Sequence, residues 1–333
     1  MVKVHSWWNG EIIIMKSKIV KKVLFITEKW CDGDPRKGIT NNYHNLFGTF
    51  KHAFPNIMIG VAHLDEIALV QNRHIDFSIP EILESFEPDL VIVSHLGSSQ
   101  LNPTSKSYSF IKNKQIPICF IWHDTRDWAL DSILSLAEIS DLHVSFGGEA
   151  EPLNEKHINL WAPQDPRLYF NDVKTIAASF VGSLQGNYTY RRKYIDYLIA
   201  NNSPIIVGGG QREQNLSAED YAKILRTSCI GINFPESAKP GFDQIKGRVF
   251  EILASQSLLL EKKNYITPKY LTAGVHYVEY VDHIDLLDKI KYYTENFQER
   301  EKISLIGKKY YEENYSPIIF WTKIFEKMEL KND

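Results

Sequence analysis

The chain has 333 residues, 44% of them hydrophobic and 24% charged, which is an ordinary balance for a globular protein of about two domains. Its formal net charge of −3 shows no excess of basic residues that would attract a nucleic-acid backbone, so nucleic acid is not an expected partner. No apolar run approaches the roughly 18 to 20 residues that a membrane-spanning helix needs, so no transmembrane segment is expected.

The cysteines and the first residues indicate a cytoplasmic protein. Cys31, Cys119 and Cys229 are widely separated, odd in number and without metal-ligand spacing, so we expect reduced thiols and no metal site. Residues 1–20 contain an apolar patch that is too short for a signal peptide and is broken by Glu11. We interpret them as a leader before the first strand, with Met15 as an alternative start.

The first half alternates between apolar strands and helical patterns. KVLFIT at Lys22–Thr27 is followed by a loop rich in turn residues, and IMIGVAHL, PDLVIVSHLG, ICFIW and DLHVSFGG repeat the strand pattern between helices. This alternation predicts an α/β fold with a parallel sheet. Ligands of such sheets bind at the carboxyl ends of the strands, so the loop with Gly38, Thr40 and Asn41 is expected to border a cleft.

His123 and Asp124 directly follow the predicted strand ICFIW. A histidine in this position can be a cleft residue that a neighbouring carboxylate orients, or a hydrogen-bonded strand terminus. Both interpretations stay open for His123, and His95, after VIVS, is a weaker case of the same kind.

A change of pattern near residue 149 predicts the boundary between two domains. The segment 149–174 contains three prolines and no strong period, so it is interpreted as the connection. The expected division is a first domain over 21–160, a second over 161–315 and a terminal helix over 316–333. The second half repeats the order of strand, glycine-bearing loop and helix, and the aromatic side chains of the terminal helix are expected to pack against the body.

Two predicted strands of the second half end in glycines. Gly182 and Ser183 follow ASFV, with Arg191 at the start of the next helix, and Gly209 lies in the run of three glycines after SPIIV. Their backbone N–H groups are able to meet a phosphate, but such loops also simply turn the chain. The sequence matches neither a Walker loop nor the GxGxxG pattern.

The segment GFDQIKGRVFEILASQSLLLE, residues 241–261, carries the strongest functional pattern. One helical stripe is apolar, and the other contains Gly247, Arg248 and Glu251 within about two turns. A glycine inside a helix costs about 1 kcal/mol relative to alanine, which suggests close approach by another group. The cation suits a phosphate and the carboxylate suits ribose hydroxyls, whereas the alternative is a solvated ion pair.

The order and spacing of several pieces resemble the CgeB-type spore-maturation glycosyltransferases and their relatives among the group 1 glycosyl transferases. The resemblance covers roughly residues 161–316, and its pieces are WAPQDPRLYF, FVGS, RRKYIDYL, LSAEDYAKIL, SCIGINF, GRVFEILASQSLLLE and EREKISLIGKKYYEENYS. The first half matches only in pattern.

The resemblance implies a GT-B fold of two Rossmann-like domains, with a nucleotide-sugar donor mainly in the second domain and the acceptor mainly in the first. It implies that Glu251 contacts the donor ribose, that Arg248 lies near the diphosphate, and that His123 lies near the transferred sugar. Relatives usually have a small pair such as cysteine-glycine after EILA, where this chain has Ser255 and Gln256. Asp243 stands where the related family has a second glutamate.

The expected function is therefore transfer of a sugar from a nucleoside diphosphate-sugar to a glycan, a protein or a small molecule. Arg248, Lys246 and the N–H groups near Gly182 can stabilise the departing diphosphate, so no cofactor and no metal are required. If the reaction inverts the anomeric centre, His123 or Asp124 is the candidate base. The alternatives are a GT-B sugar-nucleotide epimerase and a non-catalytic nucleotide-sugar-binding protein.

Overall fold

The computed structural model describes residues 18–97, 99–123, 130–136, 138–147, 154–209, 216–237 and 241–332. Among the site residues expected from the sequence, Asp124 lies outside these ranges. Within them, two larger parallel sheets each carry helices, which confirms the predicted α/β fold.

The first sheet has six parallel strands in the order β3-β2-β4-β5-β6-β7. Its strands are β2 (Lys22–Thr27), β3 (Met58–His63), β4 (Leu90–Ser94), β5 (Ile118–Trp122), β6 (Leu142–Phe146) and β7 (His157–Leu160). A π-helical segment, Tyr43–Gly48, continues into α1 (Thr49–Ala53), and the other helices of this half are α2 (Leu64–Gln71), α3 (Ile79–Phe86), α4 (Ser105–Asn113) and α5 (Leu130–Ser135). Strands β2, β4 and β5 are buried along almost their whole length, which explains their continuous apolar sequence.

The second sheet has five parallel strands in the order β12-β11-β10-β8-β9. Its strands are β8 (Ile176–Val181), β9 (Ile205–Gly208), β10 (Ser228–Asn233), β11 (Leu258–Lys262) and β12 (Val278–Tyr280). The helices of this half are α6 (Thr189–Ala200), α7 (Ala218–Thr227), α8 (Gly247–Ala254), α9 (His283–Glu295) and α10 (Phe297–Asn314). Helix α7 is capped by Ser217, whose side chain accepts a hydrogen bond from the Asp220 backbone N–H.

The last helix returns to the first half. Helix α11 (Pro317–Lys327) buries Phe320, Trp321 and Phe325, and the Trp321 indole donates a hydrogen bond of 3.0 Å to Thr49 Oγ1 on α1. The aromatic side chains of α11 therefore pack against the body, as expected. After α11 the short strand β13 (Leu330–Asn332) pairs in parallel with β1 (Lys18–Val20), so three residues of the expected leader form a strand.

The chain crosses between the halves twice, and the two crossings touch. Residues 161–175 lead from β7 to β8, and Tyr315 lies between α10 and α11. The Trp161 indole donates a hydrogen bond of 2.6 Å to the Tyr315 carbonyl, and the two rings meet edge to face at 4.9 Å. Trp161 is buried, so this contact belongs to the core.

One local expectation needs correction. The segment 149–174 was expected to be connection throughout, but His157–Leu160 forms β7, whose short and partly polar sequence hides its strand character. Within the segment 241–261, helix α8 begins only at Gly247, so the buried Ile245 precedes the helix.

Within the part of the chain that the structure describes, no helix combines the length and the apolar character needed to cross a membrane.

Candidate functional site

The second sheet has its topological switch point between β8 and β10. β8 continues to β9 on one side, whereas β10 and β11 extend the sheet on the other. In such sheets the loops at the carboxyl ends of the two diverging strands leave a crevice in which ligands bind. β8 ends directly before Gly182 and β10 ends at Asn233, so these two residues border the crevice.

Arg248 reaches from the first turn of α8 to Gly182. A Cβ atom at Gly182 would overlap with Nη2 of Arg248, so the glycine makes room for the guanidinium. Gly182 also has a φ of 154°, and its backbone N–H donates to the Gly208 carbonyl at 2.9 Å. The structure thus brings together the glycine loop and the basic residue that the sequence marked separately.

The Arg248 side chain is fixed on two sides. Its guanidinium lies over the Phe180 ring, 5.1 Å from the centroid, and Nη1 donates a hydrogen bond of 3.0 Å to Asn233 Oδ1. Its Nε is buried without a hydrogen-bond partner among the described residues. A fixed and incompletely paired guanidinium is suited to bind an anion.

Glu251 lies one turn further along α8 and is held by a tyrosine. Its Oε2 accepts a hydrogen bond of 2.8 Å from the Tyr221 hydroxyl on α7. Burial raises the pKa of Glu251 above its ordinary value, while the charge of Arg248 and the tyrosine hydrogen bond oppose the shift. Arg248 and Glu251 are both half-buried, and each is hydrogen-bonded to a residue of another element, so they differ from the solvated ion pair considered from the sequence.

Gly247 allows neighbouring side chains to lie close to the backbone at the start of α8. A Cβ atom there would lie 3.4 Å from Gln164 Nε2, 3.5 Å from Glu251 Oε1 and 3.8 Å from the Ala162 Cβ. The first turn of α8 therefore packs against the connection between the halves.

The remaining glycine-loop residues differ in their roles. Gly209 has a φ of 72°, and a Cβ atom there would lie 3.6 Å from the Gly182 nitrogen, so the two glycine loops are adjacent. Ser183 is exposed. Arg191 is buried, stacks on the Tyr188 ring at 4.0 Å and donates to the Ser183 carbonyl at 3.2 Å. Arg191 therefore stabilises the loop that contains Gly182 and Ser183, through its hydrogen bond to the loop backbone.

Lys246 and His123 lie where the two halves meet. Lys246 precedes α8, and its ammonium donates to Gln244 Oε1. The neighbouring Ile245 N–H donates to the Gly147 carbonyl at 3.3 Å, just after β6 of the first sheet. His123 follows β5 and meets the Phe146 ring edge to face at 4.8 Å. A short series of contacts therefore joins the predicted histidine to the segment before α8.

The loop with Gly38, Thr40 and Asn41 contacts a carboxylate between the ends of β2 and β4, where the strand order of the first sheet reverses. Thr40 is buried and its hydroxyl donates to Oε1 of Glu28, the residue that follows β2. Burial raises the pKa of Glu28 above its ordinary value, against the effect of the Thr40 hydrogen bond. Gly38, with a φ of 79°, and Asn41 are exposed on the same loop.

His95 is a structural residue. It donates to or accepts from the Tyr108 hydroxyl at 2.5 Å, and burial lowers its pKa to about 4. It is therefore a neutral histidine at the end of a buried strand, which is the second of the two interpretations given above.

Sequence reasoning missed three residues that shape the site. Asn233 and Tyr221 hold Arg248 and Glu251, and Glu28 accepts a hydrogen bond from Thr40. Glu28 directly follows the strand KVLFIT, so the strand-end argument that selected His123 applies equally to it. The hydrogen bonds of Asn233 and Tyr221 join separate elements and leave no local sequence signal.

The comparisons with known proteins agree with this geometry. Residues 174–318 match a family model described as glycosyl transferase-like. No curated protein matches the chain significantly. Three solved structures with similar folds each cover 92% of the chain: HepE of Anabaena in complex with UDP-glucose, sucrose-phosphate synthase from Thermosynechococcus elongatus, and a putative UDP-N-acetylglucosamine 2-epimerase from Listeria monocytogenes.

The likeness to these structures lies in the fold. HepE is 12% identical with a TM-score of 0.58 over 99% of its chain, and the synthase is 8% identical with a TM-score of 0.55 over 99% of its chain. The epimerase is 11% identical with a TM-score of 0.54 over 95% of its chain. The chain therefore has the GT-B fold that the resemblance implied. Together with the matched domain, this supports the expected enzyme class, a glycosyltransferase.

Proposed function

We propose that the chain transfers a sugar from a nucleoside diphosphate-sugar, held by its second half, to an acceptor held by its first half. The observation that carries the proposal is the meeting of Gly182, Arg248 and Glu251 at the switch point of the second sheet. HepE, which has a similar fold, was crystallised with UDP-glucose, so a uridine nucleotide is the first donor to test.

The donor diphosphate would bind between the Gly182 loop and the first turn of α8. Arg248 supplies a fixed charge beside the departing phosphate, and Lys246 together with the helix N-terminus adds to the positive potential. During transfer the acceptor oxygen forms a bond to the anomeric carbon, the bond between that carbon and the phosphate oxygen breaks, and negative charge grows on the diphosphate. Stabilising that charge is the main task of the site, and these groups perform it without a bound metal.

Glu251 would bind the ribose. Its Oε2 is occupied by Tyr221, while Oε1 faces the space beside Gly247 and is able to accept hydrogen bonds from hydroxyl groups. Gly209 and Ser183 would border the same ligand from the loops after β9 and β8.

The acceptor would approach from the first half. Its hydroxyl must lose a proton if the reaction inverts the anomeric centre, and His123, Asp124 and Glu28 are the candidate bases. The raised pKa of Glu28 and its position after β2 favour it as strongly as the histidine. Gly38, Thr40 and Asn41 would form the surrounding acceptor loop.

The test is binding followed by turnover. UDP, GDP, CDP and dTDP are compared for thermal stabilisation of the protein, and the best nucleotide is titrated by calorimetry against Arg248→Ala and Glu251→Ala. We expect each substitution to weaken binding by about tenfold or more, because each removes a charged hydrogen-bonding group. Turnover of the matching nucleotide sugar should persist in EDTA.

Arg192→Ala is the matched control, since Arg192 is an exposed arginine on α6. It should leave the nucleotide affinity unchanged. Equal affinities of the wild-type protein, Arg248→Ala and Glu251→Ala would contradict the donor site.

Epimerisation of the nucleotide sugar is the second candidate, favoured by the Listeria structure with its similar fold. It would use the same donor pocket but needs an acid and a base beside the sugar. Incubation without acceptor separates the two: an isomerised nucleotide sugar supports epimerisation, whereas free nucleotide that forms only with an acceptor supports transfer.

A further inference from the structure

A completely buried carboxyl group, that of Glu261, lies behind the proposed donor site and is linked to Arg248 by two successive hydrogen bonds. Glu261 on β11 has no exposed surface and stands beside Asn233 in the register of β10 and β11. Its Oε2 accepts a hydrogen bond of 2.8 Å from Asn233 Nδ2. Its Oε1 is close to Thr267 Oγ1 at 3.0 Å and Asn264 Nδ2 at 3.1 Å.

The Asn233 amide stands between two groups of opposite hydrogen-bonding character. On one side, Arg248 only donates, and it is bonded to Oδ1 at 3.0 Å. On the other side, Glu261 Oε2 accepts from Nδ2. Only one orientation of the amide satisfies both neighbours, so the acceptor oxygen of Glu261 selects the orientation that turns Oδ1 toward Arg248.

We infer that Glu261 is a positioning residue for the proposed transfer: it fixes the Asn233 amide, and through that amide it aims the Arg248 guanidinium at the donor diphosphate. The inference rests on the proposed function, because it assigns a role to the support of the same site. Without an acceptor at position 261 the amide is free to turn its NH₂ group toward Arg248, which would lose its partner and its direction.

The charge of Glu261 adds a second, measurable effect. Burial raises its pKa to about 8, although hydrogen bonds from Asn233 and Thr267 oppose the shift. Below that pH its proton can be shared with the Thr267 hydroxyl, so that Oε2 still accepts from Asn233. Above it, a negative charge behind Arg248 weakens the attraction of the site for a diphosphate.

The other titratable groups around Glu261 do not compete in this range. Glu236 is paired with Lys262, and the pKa of Lys262 is raised. Burial raises the pKa values of Tyr277 and Tyr280, so both stay neutral. Arg248 keeps its charge throughout.

The experiment measures UDP and inorganic pyrophosphate binding by calorimetry between pH 7 and 9. Pyrophosphate serves as the second probe because its binding does not depend on the base. Glu261→Leu should weaken binding about tenfold in the wild-type background, and by less than about twofold in an Arg248→Ala background, since the effect passes through that arginine. Glu261→Gln, which retains an acceptor, should restore most of the affinity at pH 7.

The pH series keeps the test decisive if Glu261→Leu does not fold. In the wild-type protein the affinity should fall as the pH rises through about 8, and in Glu261→Gln this fall should be absent. Glu279→Gln is the matched control, because Glu279 stands beside Glu261 on β12 and bonds Tyr277 instead of Asn233. It should retain both the affinity and the pH profile of the wild-type protein.

The outcomes separate the two proposals. Suppose that Arg248→Ala weakens binding, but that Glu261→Leu leaves the affinity unchanged or Glu261→Gln leaves the pH profile unchanged. The positioning role of Glu261 is then wrong, whereas the donor site remains supported. An equal loss from Glu261→Leu in both backgrounds also overturns it, since that result indicates a general structural effect. If the wild-type protein binds neither probe, the donor site and the positioning role fail together.

Discussion

Gly182 shows how the identity of one residue determines what a neighbouring side chain can do. The atom that every other residue carries at this point would occupy the place of Arg248 Nη2. The φ of 154° adds a backbone conformation that residues with side chains rarely adopt. The position of Arg248 therefore requires a glycine at residue 182. Any other residue there would displace the Arg248 guanidinium.

Gly182→Ala should keep the fold but lower the affinity for UDP by about tenfold or more, because Arg248 must move away from its two supports. Calorimetry measures the affinity, and thermal unfolding reports the fold. Gly186→Ala is the control, since Gly186 lies in the same loop with a φ of 58° but has open space around its Cβ position. If both variants bind UDP equally well, the crowding at Gly182 has no functional importance.

The sequence allowed the residues with local signals to be identified, and missed those whose partners come from other elements. Arg248 and Glu251 are recognisable because they share one helix face with Gly247. Asn233 and Glu261 are 28 residues apart and acquire meaning only when β10 and β11 align in register. An isolated asparagine at a strand end has no pattern that reveals such a neighbour.

At the scale of elements, α8 lies unusually close to the sheet that it covers. A Cβ atom at Gly231 on β10 would lie only 2.6 Å from Cγ1 of Ile252 on α8. Both residues are in the buried interior, where extra volume has no space to occupy. Because α8 carries Arg248 and Glu251, this contact also determines how far the two residues proposed to bind the donor lie from the sheet.

Gly231→Ala should lower the free energy of unfolding by about 1–3 kcal/mol, as expected for overpacking, and should also weaken UDP binding by lifting α8. Urea unfolding and calorimetry measure the two effects. Gly231→Ala combined with Ile252→Ala should be less unstable than the sum of the two single variants, because the second change removes the overlapping atoms. Simple additivity would contradict direct contact between these side chains.

The predicted elements were most accurate where apolar residues run continuously, as in KVLFIT, because a fully buried strand has no competing interpretation in that context. They were least accurate where packing overrides pattern, as in β7. The turn after α8 shows a third case. Gln256 has a φ of 55°, so the turn takes a left-handed conformation without a glycine, at some conformational cost.

At the scale of the whole molecule, a buried contact links the two crossings between the halves. Trp161 contributes both a ring against Tyr315 and a hydrogen bond to its carbonyl. It also lies near Phe250 on α8 and Phe320 on α11, so elements of both halves meet around its side chain. The order of the halves in the sequence gives no indication of this contact, which joins residues 154 positions apart.

Trp161→Phe should lower the free energy of unfolding by about 1–2 kcal/mol, because the ring remains but the Tyr315 carbonyl loses its donor. Trp161→Ala should lower it by about 3–5 kcal/mol, since it also leaves a cavity. Chemical denaturation of the two variants measures both values. If Trp161→Phe is as unstable as Trp161→Ala, the hydrogen bond and not the ring holds the crossings together.

The hydrogen bond between Trp161 and Tyr315 links the two crossings directly. Because the crossings touch, neither can be displaced without moving or breaking its contact with the other. A change in the angle between the halves would therefore have to involve both crossings at once.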